Sequence, residues 1–434
     1  MYSRPAEVLV GNAHAAEARE LIRRCVHCGF CLPACPTYRV TGNELDSPRG
    51  RIYLIKDLVE RGAASETTRT HLDRCLTCRA CETACPSGVE YGRLVDLGRD
   101  LVQVRPPPAP RALRERLLRA ALLAVATRRS LFTPIVRLAQ ALRGLMPRAS
   151  MPWLPPSPRT ARMVATSNPI SRHVRRMVVL EGCVQPGLAP QINAATTRVL
   201  DRLGIALVAA HEIGCCGAMD HHLGRIDTAL GKVRRNVVAG TRRLDDGVEA
   251  IVSTASGCGV FAKDYDHVLR HASPDLRRAG ARVAAATRDL CEVIDVASLA
   301  RLHAARGVSG PRLRVAWQAP CSLQHGQHLA TAGKVEAILR AVGCELVPVA
   351  NATLCCGSAG TYSLLQPELS QELRARKLAS LMGAAPDVIA TANVGCLEHL
   401  RQASRVPVRH WIELVDDALE CATPVGAQAV ATTT

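Results

Sequence analysis

The 434-residue sequence has no long apolar run, few aromatic residues and almost no lysine. Its best uncharged apolar stretch, AALLAVAT at 120–127, is far shorter than the roughly 18 residues of a membrane-spanning helix. The N-terminal residues MYSRPAEVLVGNAHAAEARE lack the apolar segment of a secretory signal peptide. Hydrophobic residues make up 48% and charged residues 21%, which excludes a disordered chain. We therefore expect a folded, multidomain protein in the reducing cytoplasm.

Acidic residues are scarce in one segment, and this scarcity accounts for most of the net charge of +17. Between Arg105 and Arg176 there are 15 arginines and a single acid, Glu115, whereas the rest of the chain is almost neutral. With aromatic residues at only 3%, we expect no nucleic-acid partner. Apolar residues at helical spacing predict amphipathic helices here. They could lie on an anionic membrane surface, dock an acidic partner subunit or form a solvated linker.

Cysteine is absent from residues 86–182, and this gap divides the 19 cysteines of the chain into two groups. Eight lie in residues 25–85 and eleven lie from Cys183 onward. In a reducing compartment this density indicates metal binding or redox chemistry rather than disulfides. Proline clusters at both ends of the gap mark linker boundaries. The predicted parts are residues 1–104, 105–172, 173–308 and 309–434.

The N-terminal cysteines form two runs, CVHCGFCLPACP and CLTCRACETACP, with the spacing C-x2-C-x2-C-x3-C followed by proline. Bacterial ferredoxins bind two cubane [4Fe–4S] clusters with such runs, and the cysteine before the proline reaches across to the other cluster. Two zinc knots are the alternative, because C-x2-C pairs also bind zinc. The full spacing favours clusters, and hence one-electron transfer. The predicted ligands are Cys25, Cys28, Cys31 and Cys85 for the first cluster and Cys75, Cys78, Cys81 and Cys35 for the second.

The C-terminal part contains an internal repeat, in which a single cysteine, a Cys-Cys-Gly doublet and a last cysteine recur 138 to 140 residues later. Strand and helix patterns alternate between these positions, which predicts parallel β-α-β units. Because ligands gather outside the carboxyl ends of parallel strands, we expect the cysteines of each repeat to converge there. They are Cys183, Cys215, Cys216 and Cys258 in the first repeat and Cys321, Cys355, Cys356 and Cys396 in the second.

The Cys-Cys-Gly cysteines have two interpretations. Neighbouring side chains in an extended segment diverge, so adjacent thiolates suit a polynuclear centre or two neighbouring centres better than a single metal ion. Glycine after the doublet permits a tight turn against the site. Alternatively, these cysteines are small buried apolar residues at the ends of strands. We favour a further iron–sulfur or metal centre here.

The remaining cysteines and the histidines receive no functional role from the sequence. Cys291, Cys344 and Cys421 have no counterpart in the other repeat and are interpreted as structural. A lone histidine is more often an ordinary polar residue than a metal ligand, so none of the four histidines near the motifs is predicted to bind a metal. They are His221, His222, His325 and His328.

With these motifs, the chain resembles the iron–sulfur subunits of bacterial glycolate oxidase (glycolate dehydrogenase). The similarity extends over nearly the whole length, and ELDSPRGRIYLIK together with GCCGAMDHHL and LCCGSAGTY makes it specific. The predicted fold is α+β and multidomain. An N-terminal helical, ferredoxin-like domain with two [4Fe–4S] clusters precedes a duplicated α/β Cys-Cys-Gly domain with parallel strands.

The resemblance implies an oxidoreductase complex in which separate flavin-binding subunits oxidise glycolate to glyoxylate. FAD would be bound only by those partners, and this chain would have no catalytic residue of its own. Its clusters would pass electrons toward a quinone or another membrane acceptor. The chain would then be cytoplasmic, or peripheral on the inner face of the cell membrane.

Two other functions are compatible with parts of the sequence. Lactate-utilisation proteins and heterodisulfide reductase subunits share Cys-Cys-Gly domains, so this domain could itself be catalytic, as in a thiol–disulfide reductase. In the reductases each motif ends in C-x2-C and holds a non-cubane cluster. Here Ala255 and Asn393 replace the first cysteine of that ending, which argues against this chemistry. The second alternative is a basic module that is stabilised by zinc and binds nucleic acid. The ferredoxin spacing and the low aromatic content argue against it.

Overall fold

The computed structural model describes residues 3–105, 111–142, 173–307 and 312–420. The predicted linker residues 143–172 and the predicted structural Cys421 lie outside the described residues. Residues 3–105 form helices and no strand. These helices are α1 (Ala13–Arg23), α2 (Cys31–Ala34), α3 (Pro36–Thr41), α4 (Pro48–Arg61), α5 (Glu66–Asp73), α6 (Ala80–Thr83) and α7 (Tyr91–Val104).

Helices α1, α4 and α7 pack around one apolar core, because each carries aliphatic residues at helical spacing. Ile22, Ile55 and Leu94 are fully buried there. Helix α4 begins where the side chain of Ser47 accepts a hydrogen bond from the backbone N–H of Gly50, and proline occupies the first turn. Two short helices, α2 and α6, begin inside the two cysteine runs and hold them beside this core.

Helices α8 (Leu113–Ala126) and α9 (Arg129–Ala141) form a hairpin that joins the N-terminal part to the first repeat. Arg119 on α8 lies 3.0 Å from the carboxylate of Asp73 at the end of α5. On the other side, the ring of Phe132 packs against Gly187 of the first repeat. The sequence-based expectation of helices in this Arg-rich segment is confirmed for the described part.

Each repeat contains a four-stranded parallel sheet. The first sheet has the order β2-β1-β3-β4 and the second has the equivalent order β6-β5-β7-β8. The strands of the first are β1 (Arg175–Leu180), β2 (Ile205–Ala209), β3 (Ala250–Ser253) and β4 (Thr287–Asp289). Those of the second are β5 (Arg314–Gln318), β6 (Glu345–Val347), β7 (Val388–Thr391) and β8 (Val408–His410).

Helices connect the strands of each sheet, as parallel pairing requires. In the first repeat they are α10 (Gln185–Leu188), α11 (Pro190–Arg202), α12 (Ala218–His222), α13 (Ile226–Asp245), α14 (Ser256–Lys263), α15 (Tyr265–Val268), α16 (Pro274–Ala286), α17 (Leu290–Val293) and α18 (Val296–Ala304). In the second they are a π-helical turn (Ser322–Gly326), α19 (Lys334–Ala341), α20 (Tyr362–Leu365), α21 (Pro367–Met382), α22 (Val394–Arg401) and α23 (Trp411–Glu420).

The structure confirms the predicted fold class and adds a fourth strand to each repeat. Strands β4 (TRD) and β8 (VRH) have three largely polar residues each, whereas the equally short β6 lies in the apolar run ELVPVA, which predicts a strand. The sequence pattern predicts that the third strand of each repeat ends on the last cysteine, and this is wrong: β3 and β7 end earlier, and Cys258 and Cys396 lie in the following helices, α14 and α22. The limits of the four predicted parts stay predictions.

One apolar core is shared by the two repeats. Helix α23, at the end of the second repeat, packs along α11 of the first. At this contact the buried carboxylate of Asp416 accepts hydrogen bonds from Arg198 and Arg202. At the carboxyl ends of the sheets, the backbone N–H of Ser256 donates to the carbonyl oxygen of Ala392 at 3.1 Å. The two repeats are therefore one packing unit.

Candidate functional site

The first cysteine run lines a small cavity beside α4. Cys25, Cys28 and Cys31 line it from one side, and Cys85 of the second run lines it from the other. Cys81 also borders this cavity. The structure therefore brings together the four cysteines predicted for the first cluster, including the one that must reach across from the other run.

The second run lines a neighbouring cavity on the opposite side of α6. Its lining contains Cys75, Cys78 and Cys81 together with Cys35, the last cysteine of the first run. Cys81 thus lies between the two cavities. This crossing of Cys35 and Cys85 is the pattern that the ferredoxin spacing predicts.

The loops of the two runs have the same backbone shape, although their sequences differ. Two and four residues after the first cysteine, the chain enters the left-handed region: at His27 and Gly29 in one loop, and at Thr77 and Arg79 in the other, with φ of 57°, 85°, 54° and 61°. Such conformations are costly for non-glycine residues and persist where the surroundings impose them. Here they turn successive cysteines toward one cavity.

Hydrogen-bond donors surround the sulfurs of the second cavity. The guanidinium of Arg51 donates to the Sγ of Cys35 at 3.9 Å. The hydroxyl of Thr37 lies 3.2 Å from the same sulfur but donates its proton to the carbonyl oxygen of Asp46. The phenol of Tyr91 donates to the Sγ of Cys75, also at 3.9 Å. Donors around ligand sulfurs stabilise negative charge on them and tune the potential of an iron–sulfur cluster.

Arg51 belongs to a fully buried charge network beneath this cavity. Its guanidinium lies 3.4 Å from the carboxylate of Asp46, and Nδ1 of His71 lies 2.7 Å from the same carboxylate oxygen. Arg51 also donates to the carbonyl oxygen of His71 at 2.7 Å. The network fixes the guanidinium on the cysteine side of α4, because every other position would leave a buried charge unpaired.

The protonation of these cysteines agrees with a metal-binding role. Burial raises the pKa of the Cys78 and Cys81 thiols well above the ordinary value, and neighbouring sulfurs raise it further. Burial also raises the pKa of Cys31 to about 11. Several thiolates packed this closely need a cationic centre to neutralise them, and coordination to metal deprotonates a thiol. Two groups of four converging cysteines fit [4Fe–4S] clusters.

In the first repeat the predicted cysteines converge at the carboxyl ends of β1, β2 and β3. Cys183 and Cys216 both hydrogen-bond to Cys215, which lowers the pKa of the Cys215 thiol and raises that of its two neighbours. Cys216 in turn contacts Cys258. The four sulfurs therefore form a continuous chain of contacts.

The second repeat has the same arrangement. Cys321 contacts Cys355, and the Sγ atoms of Cys356 and Cys396 are 3.2 Å apart. The amide of Asn393, which replaces the cysteine of a C-x2-C ending, donates to the Sγ of Cys396 at 3.7 Å. Asn393 thus lies beside the sulfurs and supplies a donor where a fifth thiolate would stand.

The glycine of each doublet has a conformation and surroundings that exclude a side chain. Gly217 and Gly357 have φ of +98° and +88°, in the left-handed region. A Cβ on Gly357 would come within 2.6 Å of the carbonyl oxygen of Ser370. The third residue of the Cys-Cys-Gly motif therefore allows the doublet to turn tightly against the following helix.

The second repeat places its cysteines directly against the second ferredoxin-type run. Cys78, Cys321 and Cys355 line one cavity, together with His325. Around it, Leu76 packs with Leu354, which keeps this contact apolar. The N-terminal part and the second repeat thus share one sulfur-rich interface, which the sequence did not predict.

Two of the cysteines without a repeat counterpart are buried in the shared core. Cys291 is 2% exposed and Cys344 is 9% exposed, and no other cysteine is among the groups that shift the pKa of either thiol. Burial raises the pKa of Cys344 to about 11. Their surroundings agree with the structural interpretation.

Neither His221 nor His222 is predicted from the sequence to bind a metal, yet the structure brings both to Asp96 of the N-terminal part. They line a cleft between α7 and α12 that also contains His267 and His271. The one available signal was DHH directly after the first Cys-Cys-Gly motif, which the second motif lacks.

Among the described residues, no helix combines the length and the apolar character needed to cross a membrane. Exposed apolar side chains do occur on the α8–α9 hairpin. They are Leu113, Leu117, Leu118, Leu131, Ile135, Leu138 and Leu142.

Two domain families match the chain. The 4Fe-4S dicluster domain family matches residues 21–89, and the Cysteine-rich domain family matches residues 177–262 and 315–401. These ranges contain all sixteen cysteines predicted as ligands. The matches confirm an iron–sulfur part followed by a duplicated Cys-Cys-Gly part.

Relatives align with most of the chain. The glycolate oxidase iron-sulfur subunit of Escherichia coli (strain K12) is 45% identical over 420 residues, which cover 97% of this chain and 100% of that protein. The probable glycolate oxidase iron-sulfur subunit of Bacillus subtilis (strain 168) is 31% identical over 87% of this chain and 88% of that protein. Lactate utilization protein A of Exiguobacterium sp. is 25% identical over 55% of this chain and 96% of that protein. The resemblance inferred from the motifs is confirmed.

Proposed function

Because the chain belongs to the family of glycolate oxidase iron–sulfur subunits, we propose that it is the electron-transfer subunit of a complex that oxidises glycolate to glyoxylate. Partner subunits bind FAD and perform the substrate oxidation in this proposal. A quinone or another membrane acceptor receives the electrons. The observation that supports it best is the pair of adjoining four-cysteine cavities in the N-terminal part.

Cysteines from both runs hold each centre in this assignment. Bound [4Fe–4S] clusters supply one-electron carriers at the two sites. The ligands are Cys25, Cys28, Cys31 and Cys85 at the first site and Cys75, Cys78, Cys81 and Cys35 at the second. Cys35 of the first run is a ligand of the second site, and Cys85 of the second run is a ligand of the first site. These two crossing ligands keep the sites close together and fix the distance that an electron must cross between them.

The residues around the second site stabilise its reduced, more negative state. Arg51 brings a buried positive charge, and Tyr91 brings a hydroxyl donor to a ligand sulfur. Leu76, Leu354 and Tyr362 limit access of water on the side of the second repeat. Charge, hydrogen bonds and solvent exclusion are the means by which a protein sets a cluster potential.

We extend the electron path into the Cys-Cys-Gly part. Cys78 of the second ferredoxin-type site lies beside Cys321 and Cys355, so electrons have a short route into the second repeat. Its cysteines and those of the first repeat then hold a further iron–sulfur or metal centre. The ligands would be Cys183, Cys215, Cys216 and Cys258 in the first repeat and Cys321, Cys355, Cys356 and Cys396 in the second.

The location proposed for the chain is the inner face of the cell membrane, with the bulk of the protein in the cytoplasm. The exposed leucines of the α8–α9 hairpin, combined with the arginine excess of this segment, suit a surface of anionic lipid. Such a contact would bring the chain close to a quinone without a membrane-spanning helix.

The first test is the amount of iron and acid-labile sulfide per chain after anaerobic purification. About eight of each would account for two cubane clusters, with four irons apiece. More than eight would support a further centre in the Cys-Cys-Gly part. Fewer than four, with zinc present instead, would contradict the proposal and favour zinc knots.

The second test uses the chain purified with its partner subunits. Glycolate should reduce an artificial dye through the complex, and electron transfer to quinone should be lost in Cys28→Ser and Cys78→Ser. Cys344→Ser is the matched control, because Cys344 is a buried core cysteine whose pKa is shifted by burial alone and by no other sulfur. Full quinone reduction by either ligand variant would refute the role of the N-terminal sites.

A further inference from the structure

The cleft between the N-terminal part and the first repeat contains a group of side chains that the proposed electron transfer does not use. Asp96 projects from α7, and His221 and His222 project from the end of α12. The carboxylate oxygens of Asp96 lie 2.9 and 3.1 Å from Nδ1 of His222, and one lies 3.3 Å from Nδ1 of His221. Two imidazole nitrogens from one element therefore point at one carboxylate from another.

We propose that Asp96, His221 and His222 bind one divalent transition-metal ion, which joins the N-terminal part to the first repeat. One ligand atom from each residue lies within 4.8 Å of the other two. Ligands of a tetrahedral zinc ion, at about 2.0–2.1 Å from the metal, are roughly 3.3 Å from one another. The distances from the Asp96 oxygens to both imidazoles are already close to this value.

His221 provides the observation that separates a metal site from a simple ion-pair network. Its buried Nδ1 lies 3.3 Å from an Asp96 oxygen but is not aligned for a hydrogen bond with that oxygen or with any other described group. A buried polar atom without a partner is costly, and nearly all such atoms in folded proteins are satisfied. A metal ion between the two imidazoles and the carboxylate would satisfy this nitrogen.

The surroundings of the group allow a cation despite several nearby arginines. Arg79 pairs with Asp264 at 2.9 Å, and Arg270 pairs with Glu17, so both positive charges are already balanced. Arg99 lies 3.6 Å from Oδ1 of Asp96 but directs its hydrogen bonds to Thr77 and to two backbone carbonyl oxygens, which leaves Oδ2 to face the imidazoles. The ring of Phe261 packs against His221, with centroids 5.1 Å apart, and gives the site an apolar wall. These contacts orient the imidazoles and exclude water from one side, as supporting residues do at metal sites.

The type of ligand indicates the type of ion. Two imidazoles and one carboxylate suit zinc, iron, nickel or copper, whereas magnesium and calcium prefer oxygen ligands alone. The side chain of His222 is 31% exposed to the cleft, so a fourth position is open to water or a small anion. Zinc is the appropriate probe, because it is redox-inactive and its absorption edge is distinct from that of the cluster iron.

The internal repeat predicts one such site per chain. The positions equivalent to His221 and His222, counted from the Cys-Cys-Gly doublets, are Thr361 and Tyr362 in the second repeat. Neither has an imidazole, and Tyr362 uses its hydroxyl to donate to the carbonyl oxygen of Arg74. The two halves of the duplicated fold have therefore diverged at this position.

The test measures zinc binding to the full chain with its iron–sulfur clusters in place. After dialysis against micromolar free zinc, we expect one zinc per chain. X-ray absorption at the zinc edge should show nitrogen and oxygen ligands at about 2.0–2.1 Å and none of the sulfur that cysteine would contribute at about 2.3 Å. His222→Gln and Asp96→Asn should weaken zinc binding at least about tenfold.

His271→Gln is the matched control, because His271 lines the same cleft but is not part of the group. It should bind zinc like the unchanged chain. The iron content of each variant verifies that it has folded. The proposal would be overturned if sulfur ligands appeared around the zinc, or if no zinc were bound at micromolar concentration. It would also be overturned if both ligand variants kept their zinc, or if His271→Gln lost as much zinc as they do.

Discussion

His222 and Tyr362 occupy the same position of the two repeats, seven residues after the first cysteine of each doublet, and both bond to the N-terminal part. Nδ1 of His222 lies 2.9 Å from the carboxylate of Asp96, and the phenol of Tyr362 donates to the carbonyl oxygen of Arg74 at 3.2 Å. The duplicated fold thus presents two equivalent loops to one partner domain. The ferredoxin-like part contacts both of them, and its Cys78 lies beside Cys355 of the second doublet.

Removing the hydroxyl of Tyr362 should loosen one of these two contacts. We expect Tyr362→Phe to lower the free energy of unfolding by about 1 kcal/mol, since one hydrogen bond to a backbone carbonyl is lost and the ring remains. Denaturant unfolding measures this change. Tyr53→Phe is the control, because Tyr53 is 58% exposed. Equal changes in both variants would show that the contact contributes nothing.

Arg51 should influence both stability and the potential of the second ferredoxin-type site. In Arg51→Gln the buried carboxylate of Asp46 loses one charged partner but keeps Arg74 at 3.3 Å, so the loss should be that of hydrogen bonds to a charged group, about 1.5–3 kcal/mol. The positive charge near Cys35 is also lost, so the reduction potential should fall. Redox titration followed by electron paramagnetic resonance measures the potential.

The control for Arg51 is Arg61→Gln at the exposed end of the same helix, where the side chain is 75% exposed. This variant should change neither the free energy of unfolding nor the reduction potential measurably. Arg51→Lys keeps the positive charge, so its reduction potential should stay close to that of the unchanged chain, although its free energy of unfolding should be lower. An unchanged potential in Arg51→Gln would contradict the role assigned to the guanidinium.

The packing of the two repeats should depend on Asp416 rather than on its neighbour Asp417. Asp416 is 2% exposed and accepts from Arg198 and Arg202, whereas Asp417 pairs with Arg409 at the surface. We expect Asp416→Asn to cost about 2 kcal/mol of unfolding free energy, because hydrogen bonds to a charged group are lost. Asp417→Asn should cost less than about 0.5 kcal/mol. A larger loss of unfolding free energy in Asp417→Asn than in Asp416→Asn would contradict this account.

The contribution of His399 to stability should fall between pH 6.5 and about 4, because this residue is buried in its neutral form. Burial and the charge of Arg374 lower the pKa of His399 to about 4, from the model-peptide value of 6.5. In this range the unfolded chain binds a proton that the folded chain does not, so unfolding becomes easier as the pH drops. The contribution is about 1.4 kcal/mol for each pH unit within the window.

Between pH 6.5 and 4.5, the free energy of unfolding should therefore depend less steeply on pH in His399→Gln than in the unchanged chain. His211→Gln is its control, because the side chain of His211 is 77% exposed and should leave the slope unchanged. Urea unfolding at several pH values gives the slopes. A slope in His399→Gln as steep as in the unchanged chain would disprove the assignment.

Several features of the fold were predictable because they depend on neighbours in the chain. The ferredoxin runs, the proline after each run and the Cys-Cys-Gly doublets are local spacings, and strand and helix patterns between Cys183 and Cys396 are periodic. Parallel strands bring their carboxyl ends together, so the meeting of Cys183 with Cys215 followed from topology alone. Strands β4 and β8 were not predicted, because each has only three, largely polar residues and so shows no periodic pattern of apolar residues.

Contacts between domains could not be read from the chain. His222 and Asp96 are 126 residues apart, and neither is part of a recurring pattern that refers to the other. The same holds for Cys78 and Cys321, which meet across the sulfur-rich interface. By itself the sequence determined which cysteines form groups, because short spacings and strand ends decide that. Only the tertiary structure decided which groups face one another, because docking depends on the shape and charge of whole surfaces.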